Sequence, residues 1–268
     1  MKARIIVAAI FVPLLFVILF FLPTVVLAAV VALICAIAAY ELLRSTKVTN
    51  IGVLGVSILA AAFMPIATWL GLSNGIIMIV LFIMVLLLFL IAIVRFSTEN
   101  AVPFSAIITA LFGGFVIPFF MSTLVSLKAV DRLYVLLPFI VAFVSDGGAY
   151  FVGCFLGKHK AFPRLSPKKT IEGCVGGLVS AIVIMLVYGL ILMLCGISVN
   201  FLFLGLYGLL GSFVTQVGDL AFSMVKREYG IKDYGTLLPG HGGMLDRFDS
   251  MIFAAPAIYL LVVLLPAF

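Results

Sequence analysis

A segment near the carboxyl end of the chain, KREYGIKDYGTLLPGHGGMLDRFDS from Lys226 to Ser250, gathers the side chains that bind phosphate and metal ions. Asp246 and Asp249 are three residues apart, so both carboxylates share one face of a helix. Gly242 and Gly243 come just before them. Glycines let backbone N–H groups approach an oxyanion, and a helix N-terminus adds a positive dipole end. This spacing predicts a site for phosphate and a hard cation.

The apolar run before this segment carries a polar stripe. Gln216, Asp219, Ser223 and Lys226 recur at intervals of three and four residues, which places them on one helical face. Asp219 then lies about 10 Å along the helix from Lys226. The stripe therefore leads from inside the run into the charged segment.

The acidic residues suit magnesium better than zinc. Asp219, Asp246 and Asp249 offer carboxylate oxygens and no soft ligand, which is the preference of Mg²⁺. The four cysteines are scattered without CxxC spacing, so they indicate neither zinc nor a disulfide framework. Asp146 is a further carboxylate inside an apolar run and is expected to be functional, with a hydrogen bond between helices as the alternative.

A second cationic loop, GKHKAFPRLSPKKTIEG at 157–173, is expected to complete the site. Thr170 is placed to cap the following helix, and Lys168 and Lys169 are placed to reach phosphate oxygens. The loop lacks the GxxxxG cradle of a Walker A motif. A solvated loop is the simpler reading of these lysines alone. Beside a carboxylate cluster, we interpret them as a second phosphate clamp.

The elements that position these residues are membrane-spanning helices. The chain is 66% hydrophobic and 10% charged, far from the composition of soluble domains. A spanning helix needs about 20 apolar residues, and continuous apolar runs exclude the alternation of barrel strands. The sequence therefore predicts an all-α polytopic membrane protein with about nine transmembrane helices, in the apolar runs 5–22, 24–40, 51–71, 75–94, 104–127, 132–156, 171–195, 200–224 and 251–268.

The start of the chain and its glycines carry two further expectations. The run 5–22 follows Lys2 and Arg4 as a secretory signal would, but we interpret it as a retained anchor because another apolar run follows directly. Residues 22–24 then form either a tight turn or a re-entrant hairpin. Glycines are expected to let helices approach closely at 113–114, 147–148, 153, 157 and 176–177.

The basic residues predict the topology. Only Lys128 and Arg132 lie on one side, whereas the other side has fourteen: Lys2, Arg4, Arg44, Lys47, Arg95, Lys158, Lys160, Arg164, Lys168, Lys169, Lys226, Arg227, Lys232 and Arg247. The N-terminus and the loops 42–50, 95–103, 157–170 and 226–250 are therefore expected in the cytoplasm. For Arg44, Lys47 and Arg95, membrane orientation alone is a sufficient explanation.

We predict N-terminal scaffold helices at 1–130, with dimer or lipid contacts, and a catalytic region at 131–268 with loops 157–173 and 226–250.

The segment SMVKREYGIKDYGTLLPGHGGMLDRFD, from Ser223 to Asp249, resembles the signature of the phosphatidate cytidylyltransferases, also called CDP-diacylglycerol synthases. The matching positions are S, KR, KD, LPGHGG and DR with a final D. The upstream stretch SDGGAYFVGCFLGKHKAFPRLSPKKTIEG and the QVGDL around Asp219 are also similar to this family. The resemblance is specific over about 145–250 and only generic before it.

The resemblance implies that CTP and phosphatidate give CDP-diacylglycerol and pyrophosphate, at the cytoplasmic face and in a homodimer, with Mg²⁺ and a second cation as an option. It implies that Asp219 and Asp246 bind the cation with Asp249 nearby, and that the segment Ser166–Glu172 belongs to the site. The expected catalytic residues are Asp219, Asp246, Asp249, Lys226, Arg227 and Arg247. The expected substrate-binding residues are Asp146, Ser166, Lys168, Lys169, Thr170, Glu172, Ser223, Lys232, Asp233, His241, Gly242 and Gly243.

The chemistry expected of such a site is charge neutralisation. A phosphate monoester has a second pKa of about 6, so it needs no protein base to become a nucleophile. We expect direct in-line transfer, no nucleic-acid partner and a bacterial inner membrane location. A CTP-dependent polyprenol-type lipid kinase is the alternative. An ion-coupled transporter is less favoured, because the first five apolar runs contain no internal charge.

Overall fold

The computed structural model describes residues 13–237 and 242–268, which are mostly helical. The described residues 13–20 belong to helix α1, and a turn at 21–23 follows. The predicted span 5–22 therefore lies partly outside the described residues. The remaining helices are α2 Thr24–Ser45, α3 Ile51–Trp69, α4 Asn74–Arg95, α5 Phe104–Leu111, α6 Ile117–Val130, α7 Leu136–Leu156, α8 Ile171–Leu194, α9 Phe201–Glu228 and α10 Leu245–Leu264, with a π-helical turn Phe112–Val116 joining α5 to α6.

Within the described residues, eight helices are long and apolar enough to cross a membrane, counting Phe104–Val130 as one continuous helix. The all-α class is confirmed, and the chain is an integral membrane protein. Several helices extend beyond their predicted apolar runs, and α2 continues to Ser45. Helix α9 continues to Glu228, and α10 begins at Leu245, so Asp246 and Asp249 lie inside the helix.

The cationic loop between α7 and α8 forms a β-hairpin that the sequence analysis treated as irregular. Strands β1, Lys160–Phe162, and β2, Ser166–Thr170, pair antiparallel. The Leu165 N–H donates to the Phe162 carbonyl and closes the turn. Pro167 fixes a φ that suits extended chain, so β2 holds its two lysines in a defined register. The hairpin is short, so it leaves the fold class unchanged.

The chain divides into two compact units. The first comprises Met1–Ala129 and Tyr229–Phe248, and the second comprises Val130–Glu228 and Asp249–Phe268. In the first unit, a Cβ on Gly114 in the π-helical turn would lie 2.9 Å from the Ser57 backbone of α3. This close approach is the role predicted for that glycine. The functional division of the chain at residue 130 stays a prediction.

The second unit is held together by small and polar residues. The hydroxyl groups of Ser145 on α7 and Ser212 on α9 hydrogen-bond at 2.7 Å. Gly148 of α7 faces Ser180 of α8 with no room for a Cβ, whereas Gly147 has no neighbour within 4 Å. Close packing of small residues is the usual basis of helix association in lipid. The packing role predicted for the glycines therefore holds at 148 and fails at 147.

Substituting Gly208→Ala should destabilise the second unit, because the new Cβ would lie 2.7 Å from the Ile182 Cα of α8. Overpacking of this kind costs about 1–3 kcal/mol. The matched control is Gly205→Ala on the same helix, where the nearest atom is the Leu186 Cδ2 at 3.9 Å. Thermal unfolding in detergent should show a lower midpoint for Gly208→Ala only, and equal midpoints for both variants would contradict this packing.

Candidate active site

A cavity of about 450 Å³ lies beside the hairpin in the second unit. Its polar lining includes Asp146 from α7, Lys168 and Lys169 from β2, and Gln216 from α9. Small residues form much of the remaining wall and keep the backbones of α7 and α8 close. The cavity thus combines the hairpin lysines with residues of the polar stripe. Its other lining residues are Ala149, Tyr150, Gly153, Cys154, Gly157, Lys160, Thr170, Gly173 and Cys174.

The hairpin and the polar stripe meet in an ion pair between Lys169 and Asp219. The two side chains are 22% and 26% exposed, so water reaches both. One helical turn before Asp219, the Gln216 side-chain amide donates to the Cys174 carbonyl of α8 at 3.0 Å. The two elements that the sequence predicts to cooperate are therefore in contact.

A second ion pair lies deeper in the same unit. The Lys226 Nζ is 3.6 Å from the Asp249 Oδ2, and the two side chains are only 12% and 11% exposed. The next residue, Ser250, donates its hydroxyl to the Asp146 Oδ2 at 3.4 Å. Asp249 also lies within electrostatic range of Asp219 and Asp146. Three carboxylates from α7, α9 and α10 thus gather in the second unit.

Two of the predicted residues fix the hairpin itself. Thr170 caps α8, accepting the Gly173 N–H at 3.1 Å, as its position predicts. The Glu172 carboxylate accepts the Lys158 N–H at 3.1 Å and contacts the His159 Nδ1 at 2.6 Å. An anion in the first turn of a helix is favoured by the dipole. Glu172 therefore anchors the loop that enters the hairpin.

Arg227, at the end of α9, reaches the turn of the hairpin. Its Nε donates to the Leu165 carbonyl at 3.3 Å. The guanidinium therefore lies beside the cationic loop. Ser166 and Ser223 are partly buried in the same unit, and Lys168 is exposed.

The segment before α10, in the first unit, is organised by Asp246. The Asp246 side chain is buried, and its Oδ2 accepts the Tyr234 N–H at 2.8 Å and the Gly243 N–H at 3.0 Å. Gly242 has a φ of +84°, which favours glycine, and a Cβ there would lie 3.0 Å from the same carboxylate oxygen. The glycines therefore let the chain close around an acidic side chain.

Glu41 is a buried residue that the sequence analysis missed. From α2, its two carboxylate oxygens accept the Met244 N–H at 3.0 Å and the Leu245 N–H at 2.8 Å. These amides belong to the helix N-terminus that was expected to face a phosphate, and Glu41 already satisfies them. The only available signal was that Glu41 directly follows the apolar run 24–40, so the helix could continue through it.

Four predicted residues remain to be accounted for. Lys232, Asp233 and Arg247 are exposed in the first unit, and His241 lies outside the described residues. Among the residues that the structure describes, no group of three or more His, Cys, Asp or Glu side chains could hold a metal ion. The convergence of Asp219 with Asp246 stays a prediction.

A polytopic membrane protein whose cavity is lined by several lysines and an aspartate has the features of a membrane-embedded protein that acts on anionic groups. The sequence profile of the cytidylyltransferase family matches residues 2–265. The chain therefore belongs to the cytidylyltransferase family, and the resemblance found in the sequence is confirmed.

Curated relatives of the chain are named phosphatidate cytidylyltransferase. The protein of Bacillus subtilis is 36% identical over 235 residues, which cover 85% of this chain and 86% of the relative. The protein of Staphylococcus haemolyticus is 43% identical over 130 residues, about half of each chain at 48% and 49%. A Staphylococcus aureus protein is 42% identical over a stretch of the same length. The similarity thus extends well beyond the signature segment.

Proposed function

We propose that the chain is a phosphatidate cytidylyltransferase that converts CTP and phosphatidate to CDP-diacylglycerol and pyrophosphate. The observation that carries this proposal is the similarity to the Bacillus subtilis enzyme, which runs over 86% of that enzyme's length. The contact between Lys169 and Asp219 supports this proposal, because it brings the lysines of the hairpin to the polar stripe of α9.

In this reaction a phosphate oxygen of phosphatidate attacks the α-phosphorus of CTP. A phosphorus–oxygen bond forms, the bond from the α-phosphorus to the bridging oxygen breaks, and pyrophosphate leaves with the electron pair. The attacking phosphate is largely dianionic at neutral pH, so no protein base is needed. The chain's task is to bring two anions together and to offset the charge of the leaving group. Lys168, Lys169, Lys226, Arg227 and Arg247 serve this purpose.

The lipid reaches the cavity along α7. Tyr150, which lines the cavity, is 66% exposed, and Phe151 and Phe155 on the same helix are 61% and 81% exposed. In a membrane, such apolar surface faces acyl chains. Phosphatidate therefore stays in the bilayer while its headgroup enters beside Asp146.

The acidic residues fit Mg²⁺ in their chemistry, since they offer hard carboxylate oxygens. In nucleotide sites, Mg²⁺ usually binds one or two carboxylates together with substrate phosphates and water. Asp219 and Asp246 would hold it with Asp249 nearby, with a second cation as an option. Bound Mg²⁺ supplies positive charge to the phosphates.

The distribution of basic residues supports an orientation of the enzyme in the membrane. Fourteen of the sixteen Lys and Arg residues lie on the side of the predicted active-site loops, which supports a cytoplasmic active site in a bacterial inner membrane. Homodimerisation is part of the same proposal, and it rests on the family resemblance. Cross-linking in native membranes tests this part separately.

The decisive experiment gives purified protein CTP labelled on either the α- or the γ-phosphorus, with phosphatidate or a polyprenol as acceptor. We expect the α-label to enter lipid with phosphatidate and the γ-label to be released as pyrophosphate. Transfer of the γ-label to polyprenol would instead identify a kinase. Incorporation of neither label would contradict the proposed reaction.

A further inference from the structure

We propose that Glu41 of α2 is a positioning residue for Asp246, acting through the backbone at the start of α10. The inference rests on the proposed function, because it assigns Glu41 to the support of a cation-binding carboxylate. Nothing in the motif segment identifies Glu41, which is about 200 residues away in sequence from its hydrogen-bond donors, with separations of 203 and 204.

Glu41 is built into this place with little freedom. The residue is 6% exposed, and each carboxylate oxygen accepts one backbone N–H, from Met244 or Leu245. Hydrogen bonds to a charged acceptor are about twice as strong as neutral ones. The positive end of the α10 dipole adds to the attraction. A buried carboxylate held in this way fixes the path of the backbone that it caps.

That backbone also holds Asp246. Three consecutive amides are divided between two acidic residues: the Gly243 N–H donates to Asp246, and the next two donate to Glu41. Asp246 itself follows directly after Leu245. Any movement of these amides therefore changes the orientation of the Asp246 carboxylate, and Glu41 sets where they lie.

The segment before α10 has glycines where it packs against the Glu41 side chain. A Cβ on Gly235 or on Gly243 would overlap the Glu41 carboxylate, although neither glycine has a positive φ. Their small size is thus required by Glu41 and not by the backbone conformation. Gly235→Ala should therefore displace the Glu41 carboxylate while leaving the residue itself unchanged. This substitution is a second, independent way to disturb the contact between Glu41 and the start of α10.

The test compares Glu41→Gln and Gly235→Ala with a matched control, Asn50→Ala. The Asn50 side chain caps α3 in the same unit by accepting two backbone N–H groups, from Gly52 and Val53, so Asn50→Ala removes at least as many hydrogen bonds as Glu41→Gln. In Glu41→Gln, the side-chain NH₂ cannot accept, so one amide of α10 loses its partner.

We expect Glu41→Gln and Gly235→Ala to raise the Mg²⁺ concentration for half-maximal cytidylyl transfer by about tenfold, the scale of losing a supporting contact at a metal site. The same shift should appear without CTP, in the Mg²⁺ concentration that stabilises the protein against thermal unfolding. Asn50→Ala should lower the unfolding midpoint and leave both Mg²⁺ dependences unchanged.

Two results would overturn the proposal. One is an unchanged Mg²⁺ dependence in Glu41→Gln, with activity that falls only in proportion to the folded fraction. The other is the same Mg²⁺ shift in Asn50→Ala, which would make Glu41 one structural cap among others. If the unaltered protein transferred no cytidylyl group, the proposed function would be wrong. The Mg²⁺ dependence of thermal unfolding would still test the role of Glu41.

Discussion

Asp219→Asn should lower the rate of cytidylyl transfer by about 10²–10³, the scale of removing a charge-stabilising group from an active site. Asp219 lies where α9 meets the hairpin, paired with Lys169. The substitution keeps the shape of the side chain and removes its charge. The proposed Mg²⁺ site would then bind its cation poorly, and Lys169 would lose the anion with which it pairs. Transfer of α-labelled CTP into lipid measures the loss.

The same substitution should leave the fold almost unaffected. Both side chains of the pair are about a quarter exposed, at 22% and 26%. Ion pairs in contact with water contribute only about 0–1 kcal/mol to stability. Membrane insertion and the thermal unfolding midpoint should therefore match the unaltered protein.

Asp131→Asn is the control for Asp219→Asn. Asp131 is an exposed carboxylate of the same unit that accepts the Leu133 N–H at 2.7 Å. It lies in the short loop before α7, on the opposite side from the predicted active-site loops, and its substitution should not change the rate. Near-normal transfer by Asp219→Asn would refute the assignment of Asp219 to the active site.

The membrane spans were predictable because bilayer thickness fixes their length and composition. A run such as 75–94 is apolar throughout, and it becomes α4, Asn74–Arg95. Helix ends were less predictable, because charged residues extend a helix when tertiary partners satisfy them. Helix α10 begins at Leu245, six residues before the predicted run at 251. At Leu245, the backbone N–H donates to the Glu41 carboxylate. Periodicity alone contains no such information.

The candidate site was predictable where its parts are local in sequence. The stripe from Gln216 to Lys226 follows from helical spacing, and Thr170 caps the helix that its position indicates. The pairing of Lys169 with Asp219 joins residues fifty positions apart, so its geometry is set by packing of the whole unit. Glu41 is more remote still, and its role appears only when the fold brings α2 to the start of α10.

Burial separates the two ion pairs of the site in a way that sequence could not. In each pair, a lysine that the sequence analysis assigns to phosphate contacts an aspartate that it assigns to the cation. The pair of Lys226 with Asp249 is about half as exposed as the pair of Lys169 with Asp219, at 12% and 11%. We therefore expect the deeper pair to support folding as well as chemistry.

Lys226→Met should lower both stability and turnover. Removing one partner of a buried ion pair leaves the other charge without compensation, at a cost of about 3–5 kcal/mol. The Asp249 carboxylate would be left in this position, beside the other acidic residues of the unit. Thermal unfolding in detergent should show a clearly lower midpoint, and cytidylyl transfer should fall by about tenfold or more beyond the loss of folded protein. Lys158→Met, in the exposed part of the cationic loop, should change neither.

A double variant distinguishes the structural from the chemical contribution of this pair. Replacing both partners, in Lys226→Met with Asp249→Leu, removes both buried charges, and such replacements are often neutral or stabilising. The unfolding midpoint should therefore recover relative to Lys226→Met alone. Cytidylyl transfer should stay low, because the Lys226 ammonium and the Asp249 carboxylate, both assigned to the proposed active site, are missing. Recovery of transfer together with stability would show that the pair only supports the fold, since a catalytic charge cannot be replaced by an apolar side chain.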